Sequence, residues 1–167
     1  MATEDKIFAS KVKYGGFFNF ADFYKFCYDW LAEEEGFDVA EEKYAEKISG
    51  DSKNVHVEWA GSKKVNDYFK FKIKVKFKVI ALKKVEVVQN GAKIKTNDGS
   101  VEIEIKGVLV KDYDGKFETG PFLRASRGIY EKWVIPSGIS AMKGNLSGIC
   151  DGFLSQAKAY LDLEGKK

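Results

Sequence analysis

The sequence has few of the residues from which disulfides, metal centres and catalytic sites are usually built. Its 167 residues include two cysteines, Cys27 and Cys150, and one histidine, His56. No second cysteine or histidine lies at metal-ligand spacing, so we expect two buried, reduced thiols, with a disulfide or a metal pair as the alternatives. His56 is predicted on the polar face of a strand. No P-loop, nucleophile elbow or zinc-protease motif is found, so we lean against an enzyme and expect no cofactor.

Long apolar runs are also missing. No continuous apolar stretch approaches the ~18 residues of a membrane-spanning helix, and the first six residues lack the apolar part of a signal peptide. We therefore expect an intracellular, cytoplasmic protein without a membrane span. An apolar fraction of 44% and a charged fraction of 32% argue against a disordered chain. The length predicts a single domain over residues 1–167 with a substantial core.

Arginine is nearly absent, since only Arg124 and Arg127 are found among 28 basic residues. The guanidinium fork is favoured in base and phosphate recognition, so this scarcity argues against sequence-specific DNA binding. The net charge of +3 is too small to diagnose a nucleic-acid protein. Both arginines lie on a predicted helix over Thr119–Trp133, three positions apart. They are candidates for binding an anion bidentately, or for ion pairs with nearby carboxylates.

The most informative stretch present is Asp67–Ile80, in which apolar and lysine side chains alternate. Because successive side chains of a strand point to opposite faces, this stretch predicts one two-sided strand. Its inward row is expected to face a core and its lysine row to face water. The alternation slips at Val79–Ile80, which predicts a bulge. The inward row is Phe69, Phe71, Ile73, Val75, Phe77 and Val79; the lysine row is Lys70, Lys72, Lys74, Lys76 and Lys78.

Further strands are predicted on both sides of this stretch, giving six to seven in total. The Asn90-Gly91 pair predicts a tight hairpin, and Asn97-Asp98-Gly99 predicts another turn. Glu102 and Glu104 are expected to neutralise lysines across the sheet. Asp38–Ser49 is compatible with helix or strand, and we prefer strand. The other predicted strands are Lys6–Tyr14, Val55–Trp59, Val85–Val88, Lys93–Thr96 and Val101–Ile105.

Two amphipathic helices complete the predicted core. The first is capped by Asn19 and ends at Gly36, and the second runs from a cap at Ser140 to about Leu163. The second helix carries a glycine seam, defined as Gly144, Gly148 and Gly152. Since each glycine costs about 1 kcal/mol in a helix, we expect the missing side chains to serve a purpose. Close packing on the sheet is one explanation, and room for a ligand or for a second helix is the other.

These elements predict an α+β fold with a curved, mainly antiparallel sheet packed by an N-terminal helix and a long C-terminal helix. Their order resembles the helix-grip (START-like, polyketide-cyclase-like) architecture. Separately, several stretches resemble small archaeal proteins of unknown function, a similarity that implies a shared fold and no activity. The stretches are Asp67-Tyr-Phe-Lys-Phe, Val85-Glu-Val, Gly99-Ser-Val-Glu-Ile-Glu-Ile and Pro121-Phe-Leu-Arg124 with Arg127-Gly-Ile-Tyr-Glu-Lys-Trp133.

Three functions are compatible with this pattern. The leading hypothesis is a non-enzymatic protein that binds an apolar small molecule, or a protein partner, between the sheet and the C-terminal helix. The second is nucleic-acid or polyanion binding on the lysine face around Lys72, Lys74 and Lys76, although aromatics on the opposite face disfavour nucleic acid. The third is an assembly module using an edge strand or the glycine seam. The apolar site would be lined by Phe69, Phe71, Ile73, Phe77, Ile103, Met142, Ile149 and Phe153.

Overall fold

A computed structural model describes residues 3–66, 68–111 and 136–165. Within these ranges, five strands and two helices form an α+β fold. A five-residue π-helical turn, Trp30–Glu34, continues the first helix. The elements are β1 (Thr3–Phe18), α1 (Phe20–Asp29), β2 (Asp38–Ser49), β3 (Ser52–Lys64), β4 (Phe69–Gln89), β5 (Ala92–Lys111) and α2 (Pro136–Gly165).

The strands form one antiparallel sheet in the order β1-β5-β4-β3-β2. Strands β2 to β5 follow one another as a meander, and β1 pairs with β5 at the other edge. The predicted α+β class and antiparallel sheet are confirmed, as is the strand at Asp38–Ser49. The described residues contain five strands rather than six or seven, because β4 and β5 span 21 and 20 residues and each replaces two predicted strands. Strand β1 likewise continues through Gly15 and Gly16 to Phe18.

The predicted turn at Asn97-Asp98-Gly99 is wrong, because these residues lie inside β5. Gly99 pairs with Gly16 of β1, on the side of β5 away from β4. The irregularity falls on β4 instead, where the pairing with β5 shifts between Ile80 and Lys83 and Ala81 has a φ of 54°. The bulge predicted at the end of the lysine row is therefore confirmed. The bulge lets the pairing of β4 with β5 continue as far as Asn90-Gly91, where the predicted hairpin turn is confirmed and both residues have positive φ.

The core lies between one face of the sheet and the two helices. The apolar row of β4 from Phe69 to Val79 is buried, whereas the lysines between these residues are half-buried or exposed. Phe77 is 0% exposed and its ring lies within 6.0 Å of the rings of Phe23, Tyr24 and Trp59. Helix α2 packs on β1, β5 and α1. The two-sided character of β4 is thus established, and we call its lysine side the outer face.

Local capping chemistry explains the start of α1 but not that of α2. The side chain of Asn19 accepts a hydrogen bond of 3.1 Å from the backbone N–H of Asp22, which confirms the predicted N-cap. Helix α2 begins at Pro136, before the predicted cap at Ser140.

Cys27 and Cys150 are buried free thiols, as expected. Burial raises the pKa of both, that of Cys150 to about 12, so neither is a thiolate at neutral pH.

Some sequence predictions lie outside the described residues. These are the helix over Thr119–Trp133, with Arg124 and Arg127, and the turn at Asp114-Gly115. Neither α1 nor α2 is long and apolar enough to cross a membrane.

We expect Gly99→Ala to destabilise the protein by about 1–3 kcal/mol, as other overpacking changes do. A Cβ atom at Gly99 would lie 3.1 Å from the Cα of Leu82 and 3.2 Å from the carbonyl oxygens of Ile80 and Ala81, and these bulge backbone atoms have little freedom to move.

Gly15→Ala is the matched control, since its Cβ would meet only the Ser100 hydroxyl at 3.6 Å. Urea unfolding of the two variants and the wild type measures the difference. Equal stability of both variants would mean that the bulge is not held at this distance from β5.

Candidate functional site

The outer face carries a concave trough of about 820 Å³. It crosses the sheet from β2 to β1 near the start of β4. Its lining contains five lysines and three carboxylates, an excess of two positive charges. The lysines are Lys6, Lys70, Lys72, Lys74 and Lys106, the carboxylates are Glu4, Asp38 and Glu42, and the rest of the lining is Ala40, Ala60, Gly61, Ser62, Ile73 and Val108.

The trough exists because small side chains stand beside long ones. Ala40 of β2 lies directly opposite Ala60 of β3, and Ala60 lies directly opposite Lys74 of β4. Alanine is depleted in strands, where larger side chains pack better on the pleated surface. Two facing alanines therefore leave a low apolar shelf next to the lysine row. We call Ala40 and Ala60 the alanine shelf.

Two lysines face each other in the trough. Lys74 of β4 lies directly opposite Lys106 of β5, so the row across the sheet is Ala40, Ala60, Lys74 and Lys106. Like charges directly opposite each other on neighbouring strands are destabilising. Lys106 has Glu104 at 3.5 Å, whereas Lys74 contacts no carboxylate within the described residues. An anion between the two ammonium groups would offset the repulsion.

Elsewhere on the outer face, Lys76, Lys11 and Lys13 contact carboxylates. The carboxylate of Glu58 lies 3.7 Å from the ammonium of Lys76 and 3.6 Å from the ring of His56. Glu102 and Glu104 lie opposite Lys78 and Lys76 in the register, as their alternation predicted. The ion pairs of Glu102 are formed with Lys11 and Lys13 of β1 instead, at 3.5 and 3.7 Å. In the trough, Glu4 pairs with Lys72 at 2.9 Å and Glu104 pairs with Lys106 at 3.5 Å, which leaves Lys74 without a carboxylate contact among the described residues.

The eight residues predicted to line an apolar site belong to one cluster in the core. Six of them are at most 5% exposed, whereas Met142 and Ile149 are partly buried and packed against the cluster. The fold thus brings the predicted residues together. The six are Phe69, Phe71, Ile73, Phe77, Ile103 and Phe153.

Phe71 and Ile149 also line a cleft of about 570 Å³ along the glycine seam, together with Trp30. A Cβ atom at Gly144 or Gly148 would meet no described atom within 4 Å, and one at Gly152 would lie 3.6 Å from the Trp30 ring. Close packing on the sheet therefore does not explain the seam in the described structure. The rim of the cleft includes Lys63, whose ammonium donates a hydrogen bond of 2.7 Å to the carbonyl of Glu35.

His56 is the single histidine of the sequence. His56 lies on the outer face with its side chain 34% exposed, as predicted, and its carboxylate neighbour is Glu58. Across residues 3–66, 68–111 and 136–165, no three histidine, cysteine, aspartate or glutamate side chains form a group that could hold a metal ion.

The lysine row was predictable from the sequence, but the trough was not. No local sequence pattern marks Ala40, Ala60 and Lys106 as parts of one site, because their proximity to Lys74 depends on the pairing of four strands. No protein-family description and no curated protein sequence matches the chain. The resemblance to small archaeal proteins therefore stays a prediction.

We expect Lys74→Gln to raise the free energy of unfolding by about 0.2–1 kcal/mol at low ionic strength, because it removes a like-charge cross-strand pair. The gain should fade in 1 M salt, where the screening length falls to about 3 Å.

Lys76→Gln is the matched control on the same strand, and no gain is expected because Lys76 has a carboxylate partner. Chemical unfolding at low and high salt measures both effects. A loss of stability in Lys74→Gln at low salt would contradict the repulsion.

Proposed function

We propose that this protein is a non-enzymatic binding protein whose outer trough holds a small ligand bearing an anionic group. The observation that carries the proposal is the like-charge pair formed by Lys74 and Lys106 in a concave site, where Lys74 contacts no carboxylate among the described residues. A volume of about 820 Å³ falls within the 300–1,000 Å³ typical of small-molecule sites. An anion there would take charge-assisted hydrogen bonds from both ammonium groups and relieve their repulsion.

A compact anion is better supported than a nucleic acid. A polyanion needs a continuous basic track, whereas Glu58 and Glu102 interrupt the positive charge beyond the trough and Glu104 pairs with Lys106. Stacking of single-stranded bases needs exposed aromatic side chains beside the lysines. The aromatic residues of β4 are buried on the opposite face instead. Both facts favour a ligand confined to the trough.

A second candidate function is binding of an apolar small molecule between the sheet and α2, in the cleft along the glycine seam. The contribution of Phe71, Ile149 and Trp30 to an open cleft supports it. We also propose a helix-grip-like relationship for the fold, which is supported by the order of one strand, a helix, four antiparallel strands and a long final helix.

We expect pyrophosphate to bind the wild-type protein at low ionic strength, and Lys74→Glu with Lys106→Glu to weaken this binding at least tenfold. The reversed charges would repel the anion from the centre of the trough. Isothermal titration calorimetry measures the dissociation constants, and affinity should fall as salt is added.

Lys93→Glu with Lys95→Glu is the matched control, because it makes the same charge change on the exposed end of β5, outside the trough. If this control weakened binding as much as the trough substitutions, the anion would be attracted by net charge alone. Absence of pyrophosphate binding to the wild type would also contradict the proposal.

For the second candidate, we expect Gly148→Leu to abolish capture of an apolar ligand by filling the cleft. Native mass spectrometry of the purified protein would detect a bound lipid-like mass in the wild type and its loss in the variant. Ala159→Leu, on an exposed position of the same helix, is the control. A wild-type protein that carries no such mass would remove support for this candidate.

A further inference from the structure

We infer that the ligand of the trough is an organic phosphate or carboxylate with a compact apolar body, rather than an inorganic anion. The anionic group lies between Lys74 and Lys106, and the apolar body lies on the alanine shelf. This inference rests on the proposed function and specifies the class of ligand that the same site accepts.

The shelf is an apolar surface beside charged side chains. Ala40 is exposed and Ala60 is half-buried, and they face each other across β2 and β3. The neighbouring cross-strand pairs on the outer face are polar: Asp38 with Ser62 on one side, and Lys43 with Glu58 on the other. The shelf is thus an apolar gap of two residues in a polar surface, and it is open toward the trough.

The shelf and the two lysines are aligned. Because neighbouring strands lie about 4.8 Å apart, Ala60 is one strand spacing from Lys74 and two from Lys106. A ligand that places its anionic group between the lysines therefore extends its body across Ala60 toward Ala40. Val108, half-buried at the opposite side of the lysine row, adds a second apolar contact.

Charge gives the ligand its orientation. Asp38 and Glu42 of β2 lie at the far end of the shelf from Lys106 and would repel an anionic group placed there. The anionic group is therefore directed to the lysines, and the neutral body to the alanines. An inorganic anion would use the lysines alone and leave the shelf in contact with water, whereas burial of apolar surface on the shelf adds binding free energy.

The experiment compares inorganic phosphate, phenyl phosphate and phenol by isothermal titration calorimetry at low ionic strength. We expect phenyl phosphate to bind the wild type at least tenfold more tightly than inorganic phosphate, and phenol to bind at least tenfold more weakly than phenyl phosphate. Lys74→Gln should weaken both phosphates. Ala60→Leu, which fills the shelf, should remove the advantage of phenyl phosphate and change the affinity for inorganic phosphate less than twofold.

Ala45→Leu is the matched control, since Ala45 is an exposed residue of β2 that lies opposite His56 and outside the trough. It should leave all affinities unchanged. If Ala60→Leu unfolds, Ala40→Leu on the edge strand replaces it as the test of the shelf.

The outcomes separate the two claims. Equal affinities of the wild type for inorganic and phenyl phosphate would overturn the inference and leave anion binding in the trough intact. An advantage of phenyl phosphate that persists in both shelf variants would also overturn it, because the apolar body would then lie elsewhere. Failure of both phosphates to bind the wild type would overturn the proposed function itself.

Discussion

The structure depends on burial of one face of β4 beneath the two helices. At about 25 cal/mol per Å² of apolar surface, each large side chain in the row from Phe69 to Val79 contributes on the order of 1.5–3 kcal/mol. The central position of β4 means that its inward row contacts both neighbouring strands and α1. Period-two geometry then requires the intervening lysines to point away from the helices, whatever their role.

The outer face is lysine-rich because these side chains must point away from the helices. A row of five lysines on one strand must be balanced, and Glu58, Glu102 and Glu104 supply negative charge over its second half. Near the start of β4, Ala60 and Ser62 of β3 lie opposite Lys74 and Lys72. On the other side of β4, the residue opposite Lys74 is Lys106 rather than a carboxylate. Positive charge and free volume coincide at this place, which is why the trough is the best-supported ligand site.

The long β4–β5 hairpin shows how local chemistry and tertiary context compete. Asn97, Asp98 and Gly99 have the composition of a turn, yet β1 and β4 offer partners on both sides, so the segment is held as strand. The bulge at Ala81 absorbs the mismatch on the neighbouring strand. Gly99 is needed there because bulge backbone atoms would lie within 3.2 Å of a Cβ atom. Gly99 therefore allows the close approach of β4 and β5 and does not form a turn.

The sequence by itself determined the two-sided strand β4, the cap at Asn19 and the hairpin at Asn90-Gly91, because each depends on residues within one turn or one strand. It also identified the apolar residues of the core, since alternation alone indicates which side chains share a face. Only the tertiary structure decided that Ala40, Ala60, Lys74 and Lys106 lie in one row. Their proximity depends on the register of four strands, which bulges and distant pairings set and no local spacing encodes.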